Sequence, residues 1–195
     1  MVRLVFLSVL VLIFGFQSWT KADDISDFEI EGMSIGDSLL DYMTANEIIK
    51  NDEGLYPNNS KFFEVNYIGK KNTYDYVLFH IKRKDEKYII YLIRGVNIVD
   101  NKNQCMKIKK EIVSDMKSLF KNIDYQEGSQ KHYYYKNSTQ YITQFSFGYD
   151  ARISDHARVE CMIMHEKDIK KYGNIPNTLE VIIQSEEFGK WQNNQ

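Results

Sequence analysis

The sequence predicts an α+β fold: antiparallel meander sheet or sheets, covered on one face by a short N-terminal helix pair and one long amphipathic helix. Three observations carry that expectation. Apolar residues recur at steps of three and four at Cys105, Ile108, Ile112, Met116, Leu119 and Ile123, the period of a helix with one buried stripe. Elsewhere, runs of Phe, Tyr, Val and Ile alternate with short polar breaks, as in hairpin-linked strands. Finally, 195 residues with 43% hydrophobic and 14% aromatic side chains can build one core, which excludes a disordered chain.

Taken in order, residues 1–22 read as a cleavable signal peptide. Arg3 precedes an apolar run over 4–16, and Thr20 and Ala22 supply the small residues a signal peptidase accepts. As a helix that run spans only ~20 Å against a hydrocarbon core of ~30 Å, which disfavours a retained anchor. No cysteine follows it to take a lipid. After a polar lead-in, Ser34 with Asp37 and Ser38 with Asp41 suit the start of a short helix bearing Leu39, Leu40 and Met43. Thr44 and Glu47 form a capping box for a second, with Ile48 and Ile49.

Residues 51–60 are loop. Strands are expected over 61–68, 73–83 and 87–99, joined by turns at 69–72 and 84–86. The long helix should run over 102–123, with Gly128 ending the connection after it. Strands are then expected over 131–136, 139–149, 157–165 and 178–184. The order of elements allows tandem helix-plus-three-strand units with halves 23–100 and 101–195, or a single α+β domain over 23–195 with one continuous sheet.

The net charge is −2, and losing residues 1–22 removes only Arg3 and Lys21, leaving 23 basic against 27 acidic residues, or −4. Nucleic acid needs a dense cationic face, so it is excluded as a partner. No later apolar run approaches the length of a helical span, so no membrane crossing is expected after signal cleavage.

Cys105 and Cys161 are the two cysteines, and an even count in an exported chain reads as one disulfide. Cys105 lies on the apolar stripe of the long helix. Cys161 alternates with Val159 and Ile163 along a strand. A covalent tie between helix and sheet follows. A CxxC redox centre or a zinc cluster would need spacings that are absent.

Motifs for other chemistry are few. Ser154, Asp155 and His156 are the residue types of a hydrolase triad, but adjacent side chains diverge, so they read as a polar bend. His80, His132, His156 and His165 show no metal-ligand spacing, and no Gly-rich phosphate loop or GxSxG is present. No metal and no cofactor is expected. The acids Asp23, Asp24, Asp27, Glu29 and Glu31 lack the alternation of a calcium loop. The sequons at Asn58 and Asn137 matter only in a eukaryotic source. The aromatic run is the unusual feature: Tyr133, Tyr135, Tyr141 and Tyr149 are candidate binding residues, since tyrosine couples apolar area to a polar tip. The bland alternative is that tyrosine simply fills strand positions.

The stretch from Phe28 through Ile30, Glu31, Gly32, Ser34, Ile35, Gly36, Asp37 and Ser38 to Leu39 resembles the mature start, F-x-I-E-G-x-S-I-G-D-S-L, of a family of small uncharacterised exported bacterial proteins with AT-rich genomes. That resemblance implies a signal peptide and one domain, and no activity. A helix pair followed by three antiparallel strands, entered through Gly32, Met33 and Ser34, is similar to β-lactamase-inhibitor-protein-like domains and small outer-membrane assembly lipoproteins. This chain departs from the lipoproteins in lacking a lipidated cysteine, and from the inhibitor in its single long-range cysteine pair. No contact residue carries over.

The resulting expectation is a periplasmic or secreted binding or protein-interaction module of the cell envelope, with an unknown protein or glycan as partner. One alternative is a hydrolase using His156 or His132 with a carboxylate brought near by folding. The other is an envelope assembly factor.

Overall fold

The computed structural model describes residues 24–68 and 73–195. The expected signal segment 1–22, its cleavage point and the turn at 69–72 lie outside the described residues. Among the described residues the fold is α+β, a seven-stranded antiparallel sheet with four α-helices. The first half comprises α1 (Ala45–Lys50), β1 (Phe62–Tyr67), β2 (Tyr76–Lys82) and β3 (Ile90–Val99). It is followed by α2 (Lys102–Leu119), β4 (Asp124–Lys131), β5 (Thr139–Ser146), β6 (His156–Ile163), α3 (Glu166–Tyr172), β7 (Asn177–Gln184) and α4 (Glu186–Gln192). Strand order is β1-β2-β3-β7-β6-β5-β4. The last strand thus sits between the two meanders, and its pairing with β3 from Leu92↔Gln184 to Val99↔Asn177 makes the sheet continuous.

Alternation along each strand separates two faces. The inner face carries Val65, Phe79, Ile93, Ile183, Val181, Val159, Cys161 and Phe145, all buried in the main core. Helix α2 lies on it, and Cys105 is disulfide-bonded to Cys161. The buried stripe of α2 runs through Cys105, Lys109, Val113 and Met116, continuing into Phe120. This is rotated from the expected stripe: Leu119 is exposed, and Ile108, Ile112 and Ile123 pack only partly. The helix stops at Leu119 because Phe120 turns inward against Phe145 and Phe147, with ring centroids 5.5 and 5.1 Å away.

The N-terminal segment covers the rest of the inner face through Ile30, Met33, Leu39, Met43 and Ile48. The Thr44–Glu47 capping box is formed and opens α1. The helix expected before it is only a single 3-10 turn, Leu39–Asp41. Its backbone is committed elsewhere: Leu39 N–H donates to the Tyr88 carbonyl at 3.0 Å, and the Ser38 hydroxyl donates to the Lys87 carbonyl at 2.7 Å. These bonds tie the turn to the β2–β3 hairpin, and it ends where the Thr44 N–H donates instead to the Glu47 carboxylate at 2.8 Å to open α1.

Two further differences matter for the site. The strand expected at 131–136 lies instead at Asp124–Lys131, and residues 132–137 are the hairpin loop. Strand β4 is an edge strand exposed along its whole length, so no apolar alternation marks it. Helices α3 and α4, absent from the expected order, are also present. Helix α4 lies on the outer face, where Phe188 meets Phe62 at 5.1 Å and Trp191 at 5.4 Å over Leu92 and Ile182. Gly189 permits that approach, since a Cβ there would lie 2.8 Å from the Ile153 carbonyl oxygen. Among the described residues no helix is long and apolar enough to cross a membrane.

Candidate functional site

Beyond α4, the outer face carries a band of charged side chains among single apolar residues such as Leu78, Val96 and Met162. Arg94 on β3 and Arg158 on β6 both flank Ile182 on β7. In the next row, Glu180 faces Glu160 directly. The four charges pair: Arg158 Nε lies 3.1 Å from Glu160 Oε2, and Arg94 Nη1 lies 3.7 Å from Glu180 Oε2. Thr178 Oγ1 donates to Glu180 Oε1 at 2.8 Å, and Gln140 Nε2 donates to Glu160 Oε1 at 3.1 Å. Burial pushes the Glu180 carboxyl up. Arg94 opposes that shift and Glu160 adds to it, and the net direction is upward. On the neighbouring strands, His80 Nε2 lies 2.9 Å from Glu64 Oε2. Burial raises the Glu64 carboxyl, but His80 and Arg94 outweigh it and hold it below the usual range. Burial holds the His80 imidazole down. Arg94 and Arg158 thus lie against Glu180 and Glu160, and His80 lies against Glu64, so this stripe is a buried, internally paired floor.

Beside it stands the β4–β5 hairpin tip. Burial pushes the His132 imidazole down, with Glu160 opposing and Arg94 reinforcing. His132 Nδ1 accepts from the backbone N–H groups of Tyr134 and Tyr135, both at 3.1 Å. Its ring stacks on Tyr135 at 4.7 Å, and Tyr135 meets Tyr172 of α3 edge-on at 5.4 Å. Tyr133 and Tyr134 meet edge to face at 4.9 Å. Tyr133, Tyr134 and Tyr172 are 74%, 66% and 46% exposed, so the tip presents ring surface to solvent. Lys136 Nζ lies 4.5 Å from the Tyr133 ring centroid, and Lys171 Nζ lies 4.6 Å from that of Tyr172.

The loop is held from beneath by Asp168 of α3, a buried residue. Its Oδ2 accepts from the Asn137 N–H at 2.9 Å, the Ser138 N–H at 2.8 Å and the Ser138 hydroxyl at 2.7 Å. Its Oδ1 accepts from Asn137 Nδ2 at 2.7 Å. Burial alone would raise this carboxyl, but the four donors from Asn137 and Ser138 bring it down to about 2. The turn is therefore fixed by a charged group that stays ionised.

The four tyrosines singled out in the sequence fall in three places. Tyr133 and Tyr135 share the tip. Tyr141 lies on the inner face opposite Cys161, with its hydroxyl accepting from Lys102 Nζ at 2.8 Å. Tyr149 is fully exposed beyond the far end of β5. Tyr134 and Tyr172 complete the cluster. Tyr134 belongs to the same aromatic run in the sequence although strand alternation sets it apart from Tyr133 and Tyr135, and Tyr172 joins only through the packing of α3. The histidines also separate. His156 Nδ1 lies 3.0 Å from the Ser154 carbonyl, and its Nε2 has no hydrogen-bond partner. Asp155 accepts from the Glu186 N–H at the start of α4. His165 caps α3, its Nδ1 accepting from the Lys167 N–H. Ser154, Asp155 and His156 thus form a polar bend with each side chain turned to a backbone group or to Gly148.

Comparison with protein-family models, curated proteins and solved structures finds no match to this chain. Function is therefore argued from the side chains themselves. Among the described residues no group of three or more His, Cys, Asp or Glu could hold a metal ion. A cavity of about 770 Å³ lies between α1 and β1, lined by Asp41, Glu47 and Asn66 among others, and includes no residue of the tyrosine tip.

Proposed function

We propose that this chain is an exported, non-enzymatic protein-interaction module of the cell envelope, periplasmic or secreted, whose partner-facing surface is the β4–β5 hairpin tip. The observation that carries the reading is the set of exposed rings of Tyr133 and Tyr134, on a loop locked by buried Asp168, with the exposed ring of Tyr172 of α3 beside them. Tyrosine supplies contact area at low rotamer cost, and a loop already fixed loses little entropy on binding. Export is supported by the apolar segment at 4–16 and by the disulfide, which persists in oxidising compartments. A protein partner suits the tip better than a stacked sugar ring. Its rings meet edge-on, at 86° and 70°, and so form no flat platform. Lys136 and Lys171 beside the rings favour a partner surface with carboxylates.

The test is capture from the source organism's envelope with the wild-type chain and a Tyr133→Ala/Tyr134→Ala variant, followed by titration of the purified captured partner. Both rings are exposed, so the variant should fold. Its affinity should fall roughly tenfold or more, as for aromatic hot spots. Equal affinity for the two chains would remove the tip from the interface.

A further inference from the structure

We infer that the outer face carries a second site, a groove for a neutral oligosaccharide, separate from the tyrosine tip. The groove has a volume of about 410 Å³ and a floor made by β4, β5 and β6, with the 151–152 turn and the end of α4 beside it. That size lies within the usual range for ligand sites, about 300–1,000 Å³. Its lining is dominated by primary amides, Gln126, Gln144 and Gln184 among them, with Ile142 as an apolar patch and His156 and Arg158 at the inner end.

The charge balance selects the ligand class. Arg158 lies 3.1 Å from Glu160 and Arg152 3.4 Å from Asp150, so each guanidinium beside the groove has an acid of its own, while Glu127 turns to Lys117 of α2 at 2.9 Å on the opposite face of the sheet. A charged ligand of either sign would have to compete with one of these ion pairs. An apolar ligand would strip water from amides without replacing its hydrogen bonds. What remains is a neutral molecule rich in groups that both donate and accept, which is the character of sugar hydroxyls and the match for glutamine amides.

His156 provides the second, independent observation. It is buried, only 3% exposed, and lines the groove. Nδ1 donates to the Ser154 carbonyl, so Nε2 carries the lone pair, and no protein group satisfies it. Burial, with Arg158 adding to it, brings the imidazole down to about 4, so the ring is neutral near pH 7. Nε2 is itself covered, so a ligand hydroxyl satisfies this unpartnered acceptor only when a neighbouring side chain of the groove moves aside.

The test is NMR titration of the isotope-labelled, disulfide-intact protein with maltotriose, cellotriose and chitotriose, using trigalacturonate as the charged counterpart. Saturable shifts of the Gln126, Gln144 and Gln184 side-chain amides and of His156 Nε2 are expected with at least one neutral trisaccharide. Gln126→Ala, on the exposed edge strand, should weaken that binding fivefold or more. The Tyr133→Ala/Tyr134→Ala variant should leave it unchanged, so this site and the tip succeed or fail separately. Silence at these resonances with all three neutral sugars, tighter binding of trigalacturonate, or shifts confined to the tyrosine tip would each overturn the inference.

Discussion

The two faces of the sheet are built from alternate residues of the same strands, yet they differ in kind. Along β6, Val159 and Cys161 point into the main core while Arg158 and Glu160 point to the outer floor. Along β7, Val181 and Ile183 alternate with Glu180 and Gln184 in the same way. The inner face gathers its apolar surface under α2 and adds a covalent tie. The outer face has a small apolar cluster under α4 and, beyond it, paired charges and amides set among single buried apolar residues such as Val96 and Met162. Concentrating stability on one side leaves the other free to carry hydrogen-bonding groups that a core would not tolerate.

The strongest way to break that asymmetry is to cut the tie. Replacing Cys105 and Cys161 by Ala opens a loop with a sequence separation of 56, and chain entropy puts the loss at about 4 kcal/mol. Urea unfolding of the oxidised and double-alanine proteins would measure it. A loss well under 1 kcal/mol would show that packing of α2 alone holds the inner face.

Acid should attack the outer face first. His156 has an ordinary pKa of 6.5 and is held near about 4 in the fold, chiefly by burial. The unfolded chain therefore takes up a proton that the folded chain refuses. This stability is present above pH 6.5 and is lost as pH falls towards 4, by about 3 kcal/mol in all. Asp168, lowered to about 2, also loses its contribution on acidification, but only below the ordinary carboxylate range. Glu180, raised by burial, shifts the balance the other way, since its contribution is present at low pH and lost as pH rises. Comparing wild type with His156→Gln cancels both carboxylates. The gap between the two stability curves should change between pH 6.5 and 4, and a constant gap would show that His156 titrates normally.

The same asymmetry decides what could be read in the sequence. The inner face was legible because its strands alternate and Cys161 shares a side with Val159. The capping box at Thr44 and Glu47 was legible because it is local. Strand β4 was not: an edge strand wet on both faces has no alternation, and the tyrosines beside it mimic a strand. The phase of α2 was blurred because Lys109 lies in the middle of the true stripe. The tip was half legible. Tyr133 and Tyr135 stand out by type, whereas Asp168 reaches Asn137 across 31 residues and Tyr172 arrives only with α3. The floor required knowing that β7 inserts beside β3, since Arg94 and Glu180 are neighbours only in that order.

Lys109 is the exception on the inner face, and it gives the finest test of the contrast. It is 7% exposed, its Nζ donates to Thr143 Oγ1 beneath α2, and burial pushes its pKa down. Among the described residues no carboxylate forms an ion pair with it, unlike the arginines of the outer floor. Thr143→Val should cost about 1–3 kcal/mol, because it leaves a buried ammonium without its acceptor. The double variant Lys109→Met/Thr143→Val removes both polar partners and keeps the volume, so it should unfold at higher urea than wild type, by about 1 kcal/mol or more. If the double variant is instead the weaker protein, the ammonium is a favourable member of the inner face. The division between an apolar, covalently held side and a polar, charge-balanced side would then need a second principle besides burial.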